Sequence, residues 1–227
     1  MSSEIARILA RLARQAKPGG RCWLCLEPSP DPLCPHCLAD LPKPGRRCQR
    51  CGEPGPDPCR RCLAKPPPFD AVHYGCPYGP PLDALIHSFK YQRQWWLDAA
   101  LCQPLLAALG GAEMPDCLLP VPLHWSRQLW RGFNQAELIA WQLGKALQLP
   151  VRCDLLRRPR RTRSQQGLTR TARLRNLKGA FALKGSPPGH VALVDDVMTT
   201  GSTAAALARL LKAAGCHKVQ LWCLARA

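Results

Sequence analysis

The sequence predicts an α/β chain, a mostly parallel sheet flanked by helices, joined to a small cysteine-rich N-terminal domain. Three observations carry this. From residue 67 onward, apolar runs short enough for buried strands alternate with amphipathic helical stretches. Eight of the 14 cysteines fall within residues 22–62 as four CxxC pairs. Near the C-terminus, VALVDDVMTTGSTAAALARLL sets two aspartates and a Thr/Gly/Ser cluster between an apolar run and a helical stretch.

Taken in order, residues 1–20 carry Ile5, Ile8, Leu9 and Leu12 at helical spacing with arginines between them, and lack the continuous apolar centre of a secretory signal. The expectation is a short basic amphipathic helix, either packed on its own domain or touching a membrane surface or a partner. No run approaches the roughly 18 apolar residues of a spanning helix, so a cytoplasmic protein is expected. Lys+Arg (32) exceeds Asp+Glu (15) by 17. Such an excess draws a protein to nucleic acid, phosphorylated substrates or acidic lipid, and says nothing about fold.

The four pairs are Cys22/Cys25, Cys34/Cys37, Cys48/Cys51 and Cys59/Cys62. Two thiolates three positions apart can grip one tetrahedral zinc, and two such pairs close a structural site. Eight ligands therefore suggest two zinc ions, with consecutive, nested and interleaved pairing all chemically open. The surrounding sequence is rich in proline and poor in apolar residues, so metal must supply the folding energy. A reducing compartment argues against a disulfide framework. His36, inside one pair, reads as a bystander. The prolines of LAKPPPFD forbid a helix and mark a linker, which divides the chain into residues 1–20, a cysteine-rich domain over 21–66 and an α/β domain over 67–227.

In the larger domain, Leu82, Leu85, Ile86 and Phe89, then Leu97, Leu101 and Leu105, suit one or two helices. DCLLPVPL reads as a short buried strand ending in prolines. Residues 134–147 read as a helix with Leu138, Ile139, Leu143 and Leu147 on one face. HVALV is a strand, residues 202–214 a helix ended by Gly215, and KVQLWCLA a final strand. In parallel sheets, ligands bind beyond the carboxyl ends of the strands. There, Asp195 and Asp196 are expected directly after the strand, and Thr199, Thr200, Gly201, Ser202 and Thr203 lead into the helix. Backbone N–H groups at a helix start, with hydroxyls and a glycine, make a phosphate cradle. Two adjacent carboxylates can accept hydrogen bonds from sugar hydroxyls. The combination describes a ribose 5-phosphate site, and neither GxxxxGK[ST] nor GxGxxG is present.

VALVDDVMTTGST resembles the phosphoribosyl diphosphate (PRPP) motif of type I phosphoribosyltransferases. With the cysteine-rich head, LIHSFKY, PVPL, RGFNQAELIA and RLRNLKGAF, the chain is identified as a member of the competence protein ComF family, and within it of the GntX-like proteins. The resemblance spans residues 22–227. It implies a type I phosphoribosyltransferase-like fold with an N-terminal double zinc ribbon. It also implies that Asp195 and Asp196 contact the ribose, and that residues 197–203 (Val197, Met198, Thr199, Thr200, Gly201, Ser202, Thr203) bind PRPP. Pyrophosphate and Mg²⁺ would lie beside Val121, Pro122 and Leu123, with Arg127 and Arg131 neutralising charge, Arg131 as a catalytic group beside the two aspartates. Asn134 and Gln135 would line the cleft, and Arg161, Arg163, Gln165, Arg170 and Arg173 a mobile lid. Thr199 stands where purine-salvage members carry an acid, which speaks against hypoxanthine or guanine as acceptor.

Two functional readings follow. One is a Mg²⁺-dependent phosphoribosyltransferase with an unassigned acceptor. The other is a non-catalytic protein that binds single-stranded DNA during uptake, alongside competence-machinery proteins at the inner membrane. Trp95, Trp96, Trp125 and Trp130 are its candidate stacking residues, and the basic stretch over 157–175 its phosphate-binding surface.

Overall fold

The computed structural model describes residues 20–123, 132–159 and 179–227. Four strands, all parallel, form one sheet: β1 (Ala71–Pro77), β2 (Cys117–Pro120), β5 (His190–Met198) and β6 (Lys218–Arg226), in the order β1-β6-β5-β2. The two central strands are apolar because both of their faces are covered. Side chains alternate across the sheet. Ala192, Val194, Trp222 and Leu224 pack with α3 (Leu82–Tyr91), α4 (Asp98–Ala108) and α5 (Gln135–Leu147). Val191, Leu193, Val219 and Leu221 pack with α6 (Ser202–Ala213). A short antiparallel pair, β3 (Leu156–Arg157) with β4 (Ala182–Leu183), lies on the α6 side.

Several elements differ from the expectation. β1 has no counterpart among the strands expected from the sequence, because His73, Gly75 and Pro77 interrupt its apolar pattern; pairing with β6 makes it a strand. Gly75 is there for a packing reason. A Cβ at that position would lie 2.8 Å from the Leu105 amide nitrogen and 3.1 Å from the Leu224 carbonyl oxygen, so its absence lets α4 sit directly on the sheet. β5 runs four residues past HVALV, to Met198. α5 starts at Gln135, with Asn134 as its cap. α6 ends at Ala213, with Gly215 (φ +97°) just beyond. The N-terminal helix expected over residues 1–20 lies almost wholly outside the described residues.

In the head, the cysteines group consecutively: Cys22, Cys25, Cys34 and Cys37 in one module, Cys48, Cys51, Cys59 and Cys62 in the other. The modules are a sequence repeat, RCWLCLEP against RCQRCGEP. Each closes a turn through a residue of positive φ, Leu26 in the first and Gly52 in the second, and an N–H···O bond from Cys22 to Glu27 or from Cys48 to Glu53. Each second pair opens a single-turn helix, α1 (Pro35–Ala39) or α2 (Arg60–Ala64).

The modules dock differently. The first sinks Leu33 and Leu41 into the core shared with α3, α4 and α5. The second lies along the free edge of β1, where Val72 N–H donates to the Gln49 carbonyl. Nearby, the Arg47 guanidinium stands 5.1 Å from the Tyr74 ring centre, and Arg226 pairs with Glu53 at 2.7 Å. The second cysteine module thus covers a sheet edge that would otherwise present unpaired backbone groups.

Gly75→Ala is expected to destabilise the protein by about 2 kcal/mol, because backbone on both sides blocks the methyl. Gly45→Ala, which meets open space, is expected to stay within about 0.5 kcal/mol. Urea unfolding of the two variants checks this.

Candidate active site

The two aspartates lie within β5, not after it, so they leave the strand toward opposite faces. Asp196 meets the Lys90 ammonium of α3 at 2.8 Å, with both side chains mostly buried. Asp195 stands in register with Cys223 on the α6 side, and its Oδ1 accepts the Asp196 N–H at 2.9 Å. Burial, then the negative charge of Asp196, pushes the Asp195 carboxyl up to about 7; Lys90 and Arg158 act in the opposite direction. Arg158 is itself buried, its guanidinium 5.2 Å from the Phe181 ring centre.

Sequence reasoning gives Lys90 no role of its own, and gives Arg158 one only as part of the basic stretch over 157–175. Lys90 is part of LIHSFKY, where nothing marks it out from a surface lysine. Arg158 is one of a run of basic residues. Only the packing of α3 and the position of β3 bring their charges to the aspartates.

The loop that follows is shaped by one glycine. Gly201 has φ +71°, and a Cβ there would come within 2.8 Å of the Met198 terminal methyl and 3.4 Å of the Phe69 ring. Thr200 Oγ1 lies 2.8 Å from Ser202 Oγ, and the Ser202 N–H points to that Thr200 oxygen at 3.4 Å. Gly201, the cap of α6, offers no side chain to the first turn, which leaves the helix start suited to an anion. Met198 is buried in the core on the α6 side and Val197 packs against the core on the opposite side of the sheet, so these two offer the loop backbone only. Thr199 is exposed and Thr203 half-buried.

On the β2 side, the Val121 N–H donates to the Val194 carbonyl and extends the ladder past Pro120. Val121 and Pro122 are buried, Leu123 half-buried. Asn134 is buried and acts as a strut. Its Nδ2 donates to the Val121 carbonyl at 3.1 Å, while its Oδ1 accepts the Ala136 N–H and caps α5. Gln135 is buried beside it. Asn134 thereby holds the β2 turn against α5. Arg127, Arg131, Arg161, Arg163, Gln165, Arg170 and Arg173, with Trp125 and Trp130, lie outside the described residues. Trp95 and Trp96 are half-buried, Trp95 edge-on to Phe133 at 5.0 Å.

Each cysteine group suits one tetrahedral ion. All its sulfurs lie within 4.8 Å of one another, with Cys25 to Cys34 at 3.8 Å and Cys51 to Cys59 at 3.5 Å. Ligands at about 2.3 Å from a tetrahedral zinc stand about 3.8 Å apart, whereas a disulfide needs about 2.05 Å. His36 is exposed and belongs to neither group. All four cysteines of the second group are buried, while Cys25 of the first is exposed.

That difference in exposure should show in metal release. Zinc is expected to leave to a chelator in two phases, with the fast phase missing in Cys25→Ser; a colorimetric zinc indicator reads both. The Asp195 carboxyl sets a pH dependence of its own. It is raised in the folded chain, so its ionised form is disfavoured there, and stability falls as pH rises from about 4 to about 7. Asp195→Asn should equal the parent at pH 4 and exceed it at pH 8, by up to about 4 kcal/mol for a rise of about three pH units, measured by denaturant titration.

No family model matches the chain. Competence protein F of Haemophilus influenzae is 38% identical over 206 residues, covering 86% of this chain and 85% of that protein. DNA utilization protein YhgH of Escherichia coli K12 is 39% identical over 232 residues, covering 91% and 97%, and its counterpart in Salmonella typhimurium is 42% identical over 176 residues, covering 74% and 77%. Among solved structures, the UMP synthase of Leishmania donovani is similar at 14% identity with a TM-score of 0.33, over 61% of this chain and 28% of that one. On the strength of the sequence relatives, matched along most of their length, the chain belongs to the ComF family of competence and DNA utilization proteins.

Proposed function

We propose that the chain binds PRPP, or a related ribose 5-phosphate, at the carboxyl end of β5, and that it serves the uptake or use of external DNA. The observation that carries the first part is the loop itself. Two carboxylates, a turn cleared of side chains at Gly201, and a helix start whose cap residue contributes no side chain follow one another within nine residues at the edge where parallel sheets take ligands. The second part rests on the relatives, whose names are competence protein F and DNA utilization protein.

In this reading, Asp195 and Asp196 hold the ribose diol. Burial and the neighbouring Asp196 charge raise the Asp195 carboxyl to about 7, so near neutral pH its protonated form can donate a hydrogen bond and its ionised form accept one. Residues 199–203 receive the 5-phosphate, and the turn over 121–123, braced by Asn134, bounds the pyrophosphate side. The carboxylate oxygens are the donor type Mg²⁺ takes, and that ion would offset the charge of the pyrophosphate. In transfer, pyrophosphate leaves the anomeric carbon with the bonding electron pair, the acceptor's lone pair forms the new bond, and the acceptor's proton passes to solvent. Arg127 and Arg131 belong to this pyrophosphate side by resemblance, and Arg161, Arg163, Gln165, Arg170 and Arg173 to a lid. Zinc in the two cysteine groups would contribute folding energy on the order of 10 kcal/mol per site.

A second reading, a scaffold that binds single-stranded DNA without turnover, is favoured by the charge of +17. Trp95 and Trp96 give it little support, since both pack against the core. No described helix is long and apolar enough to cross a membrane. We place the protein in the cytoplasm, peripheral to the inner membrane where competence-machinery partners would act.

Thermal unfolding of the zinc-loaded protein with PRPP and Mg²⁺ tests the site. Binding should stabilise the native state by about 2.7 kcal/mol at a hundredfold excess over the dissociation constant, and an Asp195→Ala/Asp196→Ala variant should lose that shift. Absence of a shift in the parent rejects the proposal. For the second reading, neutralising arginines over 157–175 should flatten the salt dependence of single-strand binding, by about 0.7 log units for each DNA phosphate that the variant leaves without a cation.

A further inference from the structure

Lys90 is fixed in place by its neighbours. Phe89, Ile86 and Leu85 are fully buried and set the rotation of α3, and the Phe89 ring stands 6.0 Å from that of Phe133. Phe133 leads into Asn134, whose amide holds the Val121 carbonyl. The last turn of α3 is thereby held between Asp196 and the turn that follows β2.

An ion pair removed from water is a weak source of stability, since desolvation offsets most of its attraction. Packing alone gives no reason for a lysine here. Its ammonium has three donors, and Asp196 takes one of them at 2.8 Å. A sugar diol brings no charge, so it gains nothing from the remaining donors. An anionic group at the end of the sugar facing α3 and the β2 turn gains a direct partner.

Resting on the ribosyl-phosphate reading above, we propose that Lys90 is a specificity-determining residue, through which the site selects a ribose 5-phosphate carrying a second anionic group at its anomeric carbon over ribose 5-phosphate alone. Asp196 holds the ammonium at 2.8 Å. The arriving anion then shares it, and the carboxylate is freed toward the sugar hydroxyls. The 5-phosphate, received by residues 199–203, does not need Lys90. Loss of Lys90 therefore acts on one end of the ligand only.

The test is calorimetric titration of PRPP and of ribose 5-phosphate, each with Mg²⁺, into the zinc-loaded parent and into Lys90→Met, Lys90→Gln and Lys90→Arg. Lys90→Met keeps most of the stem length, and Lys90→Gln serves as the neutral variant if the first does not fold. The parent should prefer PRPP by at least about tenfold. The neutral variants should lose that preference while holding ribose 5-phosphate within about threefold, and Lys90→Arg should restore it. Equal weakening of both ligands, or an unchanged preference, overturns the role of Lys90 and leaves the site reading intact. Failure of the parent to bind either ligand overturns both.

Discussion

Two neighbouring carboxylates at the end of a buried strand need cations to face them, and this requirement organises the functional end of the molecule. β5 has sheet partners on both sides and helices on both faces, so Asp195 and Asp196 leave it in opposite directions into partly dry surroundings. Lys90 answers one from the α3 side; the charge of Arg158 acts on the other. The balance is incomplete: burial, and then the negative charge of Asp196, displaces the Asp195 carboxyl toward neutrality. A site that keeps one acidic group so displaced holds the capacity to take up a ligand which relieves it.

The glycine that follows has the opposite task. Where the aspartates concentrate charge, Gly201 removes bulk, and the backbone turns closely over Met198 and Phe69 into α6. Asn134 performs the matching task at the β2 turn, spending its polar atoms on Val121 and Ala136.

The cysteine modules belong to the same mechanical system. The second covers the outer edge of β1 and reaches β6 through Glu53 and Arg226. Arg226 stands in register with Met198, directly before the Thr/Gly/Ser loop. The first module shares its core with α3, the helix that carries Lys90. A head with too few apolar residues to fold alone is suited to being secured by metal ligation and, in return, closes a sheet edge that the larger domain leaves open.

The sequence by itself determined the α/β class, eight cysteines suited to holding metal, and the two acids followed by a Thr/Gly/Ser loop, because each rests on local spacing: periodicity, CxxC and a strand-loop-helix motif. The repeat of RCWLCLEP in RCQRCGEP also held the consecutive pairing of the cysteines, although spacing alone left three pairings open. Other features were decided only by the tertiary structure. β1 is a strand because β6 and Gln49 pair with it, despite its broken pattern. Asn134 is a strut because the β2 turn lies within reach. Lys90 and Arg158 count because folding brings them from distant parts of the sequence to the two aspartates. Charge acts across space, and a lysine on an amphipathic helix carries no mark of which carboxylate it will meet.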